Sequence, residues 1–273
     1  MNFGLHGNTA SPRSKKDSRA RMSMGPRLDA AKISRGQAHH VMTDKTTPLY
    51  VVCSPCRHVG KTLVSRLLTE FHVVNDRPVA AFDLADEGPQ LADYLPEVTT
   101  IADISDTHGQ MAFFDRLIAD DVGARIIDLD RRVFNNFFTV AQKIRFFEEA
   151  RHRSIEPLIL FITDPDPKSA KAYAVLRNQL SQASLLPVRN QIEAADVPYG
   201  DAPSKVNRAP TSLDIPLLGF PLRALMDRQS FSFSQLWRGS PTDLPVSANH
   251  ELSCWVECIF FQFRLLELLL GCA

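Results

Sequence analysis

The most constraining feature of this chain is a short stretch, Ser54-Pro55-Cys56-Arg57-His58-Val59-Gly60-Lys61-Thr62, set between two apolar patterns. Leu49-Tyr50-Val51-Val52-Cys53 ahead of it is a continuous run of strand length. Leu63, Val64, Leu67, Leu68 and Phe71 behind it recur on one side of a helix. Strand, loop and helix in that order direct backbone N–H groups and the positive end of a helix to one place, which suits phosphate oxygens. Gly60-Lys61-Thr62 closes the pattern G-x-x-x-x-G-K-[ST], in which the lysine reaches the outer phosphates and the hydroxyl binds magnesium. Pro55 stands where that pattern opens with glycine. The spacing therefore predicts a nucleotide phosphate site with an altered entry. A chance G-K-T on an ordinary strand-to-helix turn is the plainer reading, and the flanking strand and helix weigh against it.

The 273 residues suffice for one large α/β domain or two small ones, and an apolar share of 44% supplies a substantial core. The formal net charge is zero, so a nucleic acid or membrane partner would have to be met by a local patch. Five scattered cysteines, an odd number, fit reduced thiols and predict a cytoplasmic protein. Cys53 and Cys56 have the C-x-x-C spacing of redox and zinc motifs. With one at a strand end and the other in the loop, packing and loop geometry are the expected reasons for them.

Residues 1–47 lack apolar periodicity and carry many Lys and Arg among serines, glycines and prolines, which predicts a disordered basic tail. Weak electrostatic contact with DNA or anionic lipid is its functional reading, and a solvated tail the plainer one. The tail lacks the apolar core of a secretory signal, whereas an organelle transit peptide would share its composition. Met42 is an in-frame start just before the first strand, which would make the tail no part of the natural protein.

Residues 48–225 alternate strands and helices. Val79 to Phe82 predicts a strand ending at Asp83, Thr99 to Ile104 another, and Ala124 to Asp128 a further one ending in a carboxylate. Phe134 to Ala150 reads as one helical segment with a phenylalanine core, and Leu158 to Ile162 as a fully buried strand. Lys168 to Leu180 reads as a helix and Leu185 to Asn190 as a strand. This alternation predicts an α/β fold, a mostly parallel sheet with helices on both faces in three layers. Asp83 and Asp128 end strands where ligands bind in such sheets. Asp128 is the candidate acidic partner of Thr62 for magnesium, with a helix cap as the alternative, and Asp130 follows on the same face. His108 is a candidate base, more simply a solvated loop histidine. Glu193 to Asp214 reads as a loop and Ile215 to Pro221 as an edge strand. Residues 226–273 form an extension ending in an apolar helix from Leu252 to Leu270. Glu257, Arg264 and Glu267 within it argue against a membrane span, so it is expected to pack on the domain or on a protein partner.

In order and spacing, Val59-Gly60-Lys61-Thr62, Asp83, Asp128, the P-V-R-N ending at Asn190 and the I-P-L-L-G of Ile215 to Gly219 resemble the ParA/MinD group of deviant-Walker P-loop ATPases, over Pro48 to Pro221. The resemblance implies a SIMIBI-type P-loop fold and an ATP- and Mg2+-dependent switch. Arg57, His58, Val59, Gly60, Lys61, Thr62 and Leu63 would cradle the phosphates, Thr62 and Asp128 hold the metal, and Asn190 meet the base. Lys61 would act on the β- and γ-phosphates, with Asp83 or Asp86 near the attacking water. Two departures stand out. Cys56 replaces the family's first lysine, which crosses a dimer to the partner's nucleotide, with Arg57 and His58 in place of two glycines. Asp83-Leu84-Ala85-Asp86 replaces a D-x-D, putting the second aspartate one residue late. Slow or impaired hydrolysis is therefore expected, with homodimerisation or partner binding as the output. The alternatives are an inactive scaffold that keeps the fold, and a small-molecule kinase or ligase related to dethiobiotin synthetase.

Overall fold

The computed structural model describes residues 46–84, 90–119, 123–180, 183–191, 212–239 and 244–272. The basic tail to residue 45, Asp86 and most of the loop after Asn190 lie outside them. Three continuous apolar runs make the interior of a sheet: β1 (Thr47–Cys53), β4 (Ala124–Leu129) and β5 (Ile155–Ile162), each buried along nearly its whole length. Strands covered on both faces need apolar residues at successive positions, not alternating ones. β2 (Val79–Asp83), β3 (Thr99–Ile101), β6 (Ser184–Asn190) and β7 (Leu213–Ile215) complete it. Every described pairing is parallel, in the order β3-β2-β4-β1-β5-β6-β7.

The helices are α1 (Lys61–Val74), α2 (Leu91–Tyr94), α3 (Thr107–Leu117), α4 (Phe134–Lys143), α5 (Phe146–His152), α6 (Pro167–Gln179), α7 (Phe220–Met226), α8 (Phe233–Trp237) and α9 (Val246–Leu270). They form two cores on opposite faces of the sheet, and β1 divides its side chains between them as a period of two requires. Tyr50 and Val52 face α1, α8 and α9, while Leu49, Val51 and Cys53 face α3 to α6. The fold is thus the three-layer α/β arrangement that the alternation predicts.

Connections that run from β1 toward β2 use the α1 face, and those that run from β3 to β4, β5 and β6 use the other, as right-handed crossovers demand. The loop after β1 therefore leaves toward one face while the loops after its neighbours β4 and β5 leave toward the other. The crevice so opened at the carboxyl ends is where open α/β sheets bind ligands.

Several boundaries differ from the sequence reading. β3 ends at Ile101, which is 64% exposed at the sheet's edge. The Phe134 to Ala150 segment breaks at Arg145, whose φ of 55° cannot continue a helix. The last strand is Leu213–Ile215, not Ile215 to Pro221: Pro216 has no N–H to extend the ladder, and Phe220–Met226 forms α7 with Pro221 in its first turn. α9 begins at Val246, directly after Pro245. α1 is the largest departure. It is buried from Val64 through His72 without a break, polar residues included, because α8 and α9 cover the side expected to face water.

Candidate functional site

Cys53 ends β1, and the chain turns at once into the loop Ser54 to Gly60. Ser54 is fully buried and its Oγ accepts a hydrogen bond from the Cys56 N–H at 3.3 Å. Two residues take left-handed backbone angles, His58 (φ 56°) and Gly60 (φ 90°). Such angles turn successive N–H groups toward one side. Gly60 is required twice over: its φ suits glycine, and a Cβ there would lie 2.2 Å from Asn190 Nδ2. That amide donates to the Val59 carbonyl at 2.9 Å, which ties the end of β6 to the loop. Val59 is buried in the α1-side core and Leu63 packs partly against it, while Arg57 and His58 are exposed. Lys61 folds back along the loop and donates from Nζ to the Cys56 carbonyl at 3.1 Å.

Thr62, one residue further, reaches across to the neighbouring strand. Its hydroxyl donates to Asp128 Oδ2 at 2.7 Å. Parallel pairing sets this up, since Val52 stands beside Asp128 on one side and Asp83 beside it on the other. Both carboxylates are buried, Asp83 fully and Asp128 at 2% exposure. Asp83 Oδ2 accepts from the Ala92 N–H at 3.0 Å, so it pins the start of α2. Asp128 Oδ1 has no well-formed hydrogen bond among the described residues. Burial pushes the Asp128 carboxyl up to about 7, opposed by the Thr62 hydrogen bond, reinforced by the Asp83 charge, and eased by Lys61 and Ser65. The Ser65 hydroxyl is near enough to ease the charge yet makes no well-formed hydrogen bond of its own.

The structure thus brings together Val59, Gly60, Lys61, Thr62 and Asn190 in one loop environment, with Asp128 and Asp83 side by side at the strand ends. Asp86 lies outside the described residues. Asp128 does not cap α4, whose N-cap position is Val133, without a side-chain cap. Asp130 accepts from the Arg132 N–H at 2.8 Å and so closes a turn. His108 is exposed in the first turn of α3, which Asp106 caps.

Sequence reasoning missed two carboxylates on the other side of the loop. Asp164 and Asp166 follow β5, the strand beside β1, and their oxygens and Cys56 Sγ all lie within 4.8 Å of one another. Only the pairing of β5 with β1 brings them there, and no signal in the sequence gives it. Burial and then these two charges raise the Cys56 thiol, which favours the neutral S–H over a thiolate ligand. Asp166 is already used as the cap of α6, accepting from the Lys168 N–H at 2.9 Å. Cys53 is buried in the opposite core, its thiol raised well above its ordinary value chiefly by burial.

No protein-family model matches the chain, and no curated protein matches it. The site is read from its own geometry.

Proposed function

We propose that the loop from Ser54 to Thr62 binds the phosphates of ATP with Mg2+, and that the protein is a nucleotide-dependent switch of the ParA/MinD kind with slow hydrolysis. One observation carries this reading: the buried Asp128 carboxylate has one oxygen on the Thr62 hydroxyl, and the other, with the Ser65 hydroxyl nearby, has no well-formed hydrogen bond among the described residues. An unpaired buried carboxylate oxygen is costly in an apo fold. Beside a hydroxyl at the start of a helix it is the hard oxygen donor that a magnesium ion with its water shell takes up. Gly60 lets the chain pass under Asn190 without a Cβ, and the exposed run Arg57-His58 leaves the outer rim of the loop open.

In this reading Lys61 would offer its ammonium to the outer phosphates, and Thr62 and Asp128 would hold the metal. Asp128 then loses its proton. The bound nucleotide and its ion supply a phosphoanhydride and charge neutralisation. The chain's own residues do the orienting. Asp83, held by the Ala92 N–H, keeps the start of α2 against the site, where a change in nucleotide state can be felt.

The inactive scaffold is favoured by a different observation, that Lys61 and Asn190 both spend hydrogen bonds on the loop's own carbonyls. Calorimetric titration of ATP and ADP with magnesium into the full chain separates the two. The nucleotide reading expects saturable binding that Lys61→Ala abolishes while the far-UV spectrum is unchanged. It also expects ATP–magnesium affinity to rise with pH through about 7 as Asp128 gives up its proton. Unchanged affinity in Lys61→Ala would overturn the assignment, and a folded protein that binds neither nucleotide would leave the scaffold.

A further inference from the structure

Helix α9 is apolar on two opposite faces, and among the described residues only one of them is covered. Trp255, Ile259, Phe260, Phe263 and Leu266 are buried in the α1-side core. On the far side stand Cys254, Cys258, Phe261, Leu265 and Leu268, with Phe261 57%, Leu265 41% and Leu268 64% exposed. A helix apolar all round is normally enclosed all round, and a continuous exposed patch of this kind marks a contact surface.

The spacing of the outer residues says what covers them. From Cys254 to Leu268 they are four, three, four and three residues apart, the period of a seam between two helices. Along one flank lie Glu257 and Arg264, both exposed and two turns apart, about 10 Å, so they cannot pair within their own helix. In an antiparallel pair of identical helices whose axis passes between Cys258 and Phe261, Glu257 faces Arg264 of the second copy, and the symmetry repeats that contact. Cys258 then meets Phe261 of the second copy, and Leu265 meets its Cys254. In a parallel pair Glu257 would face Gln262 instead, and no opposite charges would meet. We propose that the protein forms a dimer in which α9 packs antiparallel on α9 of a second copy of this chain, independently of nucleotide. Charge also disfavours a lipid surface as occupant: the exposed acids of α9, Glu251 and Glu257, stand against a single Arg264, where a helix lying on an anionic membrane is rich in Lys and Arg.

Sedimentation equilibrium of the full chain under reducing conditions, without nucleotide, tests this. The wild type is expected to be a dimer. Phe261→Asp is expected to be monomeric with an unchanged far-UV spectrum. Glu257→Arg, which sets like charges against each other twice, is expected to weaken the dimer by about tenfold or more. Arg264→Glu should do the same, although it also removes a guanidinium that lies 5.5 Å from the Trp237 ring, so Glu257→Arg is the cleaner probe. The double exchange Glu257→Arg with Arg264→Glu restores the pairs in reverse and should recover the dimer. A wild type still monomeric at about 100 µM overturns the proposal, and so does a dimer whose affinity ignores both charge reversals. A monomer that sediments with anionic lipid vesicles through this face would assign it to membranes instead.

Discussion

The two faces of the sheet are built by different rules. The face under α3 to α6 is centred on rings: Phe113, Phe114, Phe137, Phe138 and Phe146 stack edge-to-face or offset at centroid distances of 4.9 to 6.4 Å. Among the described residues its one large buried charge is Arg125, at the end of the sheet away from the site, which donates to the carbonyls of Ala119 and Gly123 and to the Thr47 hydroxyl. The face under α1, α8 and α9 is laced with polar links instead. Arg66 on α1 donates to the carbonyls of Met226 and Phe231 and lies 4.0 Å from the Tyr94 ring centroid. Glu70 accepts from Ser232 Oγ and from the Ser234 N–H, both at 2.7 Å. Glu267 on α9 takes Arg77 at 2.7 Å and the Tyr50 hydroxyl at 3.0 Å. Apolar packing resists compression but has no direction, whereas these bonds hold α1 and the C-terminal helices in one register. α1 begins at the loop, so these bonds tie the helix that follows the loop to the C-terminal helices.

His72 completes that network in an instructive way. Its Nε2 lies 3.4 Å from Glu267 Oε1, the distance of an ion pair. Burial first, and then the Arg77 charge, hold the imidazole down at about 3, so His72 is neutral and Arg77 alone carries the pairing.

The largest expected effects break one face at a time. Phe137→Ala removes a fully buried ring and should cost about 3 to 5 kcal/mol in chemical denaturation. Glu267→Ala leaves Arg77 and the Tyr50 hydroxyl without their buried partner and should cost about as much. The contrast lies in repair. Arg77→Met combined with Glu267→Leu replaces a charge pair with apolar volume and should regain most of the loss, since a buried pair is seldom worth more than good packing. If the double variant is no better than Glu267→Ala, the network is not an isolated pair and Tyr50 carries more of it than the geometry suggests.

A second expected effect concerns the site between the faces. The Asp128 carboxyl titrates near 7 in the folded chain and near 3.8 when exposed. The native state therefore holds a proton that the unfolded chain has lost across that window. Stability should fall as pH rises from about 4 through 7, by up to about 4 kcal/mol from this group alone. Asp128→Asn should flatten that slope and raise the melting temperature at pH 8. A variant with the wild-type slope would mean that Asp128 is already ionised in the apo protein.

The sheet was legible because its evidence is local. Continuous apolar runs such as Leu158 to Ile162 and strand ends at Asp83 and Asp128 fix strands and their carboxyl ends without knowledge of what lies beside them. Adjacency is not local. Nothing in the sequence puts Asp164 beside Cys56, since that follows only once β5 is known to neighbour β1. α1 misled for the same reason. The sequence marks Leu63, Val64, Leu67, Leu68 and Phe71 as the apolar side of the helix, yet Ser65, Arg66, Thr69, Glu70 and His72 are buried as well, and Arg66 and Glu70 are met by Phe231 and Ser232 from more than 160 residues away. Asn190 was legible as a polar residue ending a strand, but its hydrogen bond to Val59 belongs to the packed loop.

The smallest expected effect is the most diagnostic of the linked face. Ser232 caps α8 by accepting from the Gln235 N–H at 3.2 Å, and the same hydroxyl donates to Glu70. Ser232→Ala removes these contacts and one with the Ser234 hydroxyl at 2.8 Å, yet Glu70 keeps the Ser234 N–H, so no charge is stranded. The loss should be that of an ordinary helix cap, about 1 kcal/mol, or roughly 2 to 4 °C in melting temperature for a domain of this size. If the polar links hold α1 and α8 in register, hydrogen exchange should quicken in α8 and in the last turns of α1 together, with α4 and α5 unchanged. Faster exchange confined to α8 would mean that the cap serves its own helix and that the register is kept by the remaining links, Glu70 to the Ser234 N–H and Arg66 to the Met226 and Phe231 carbonyls.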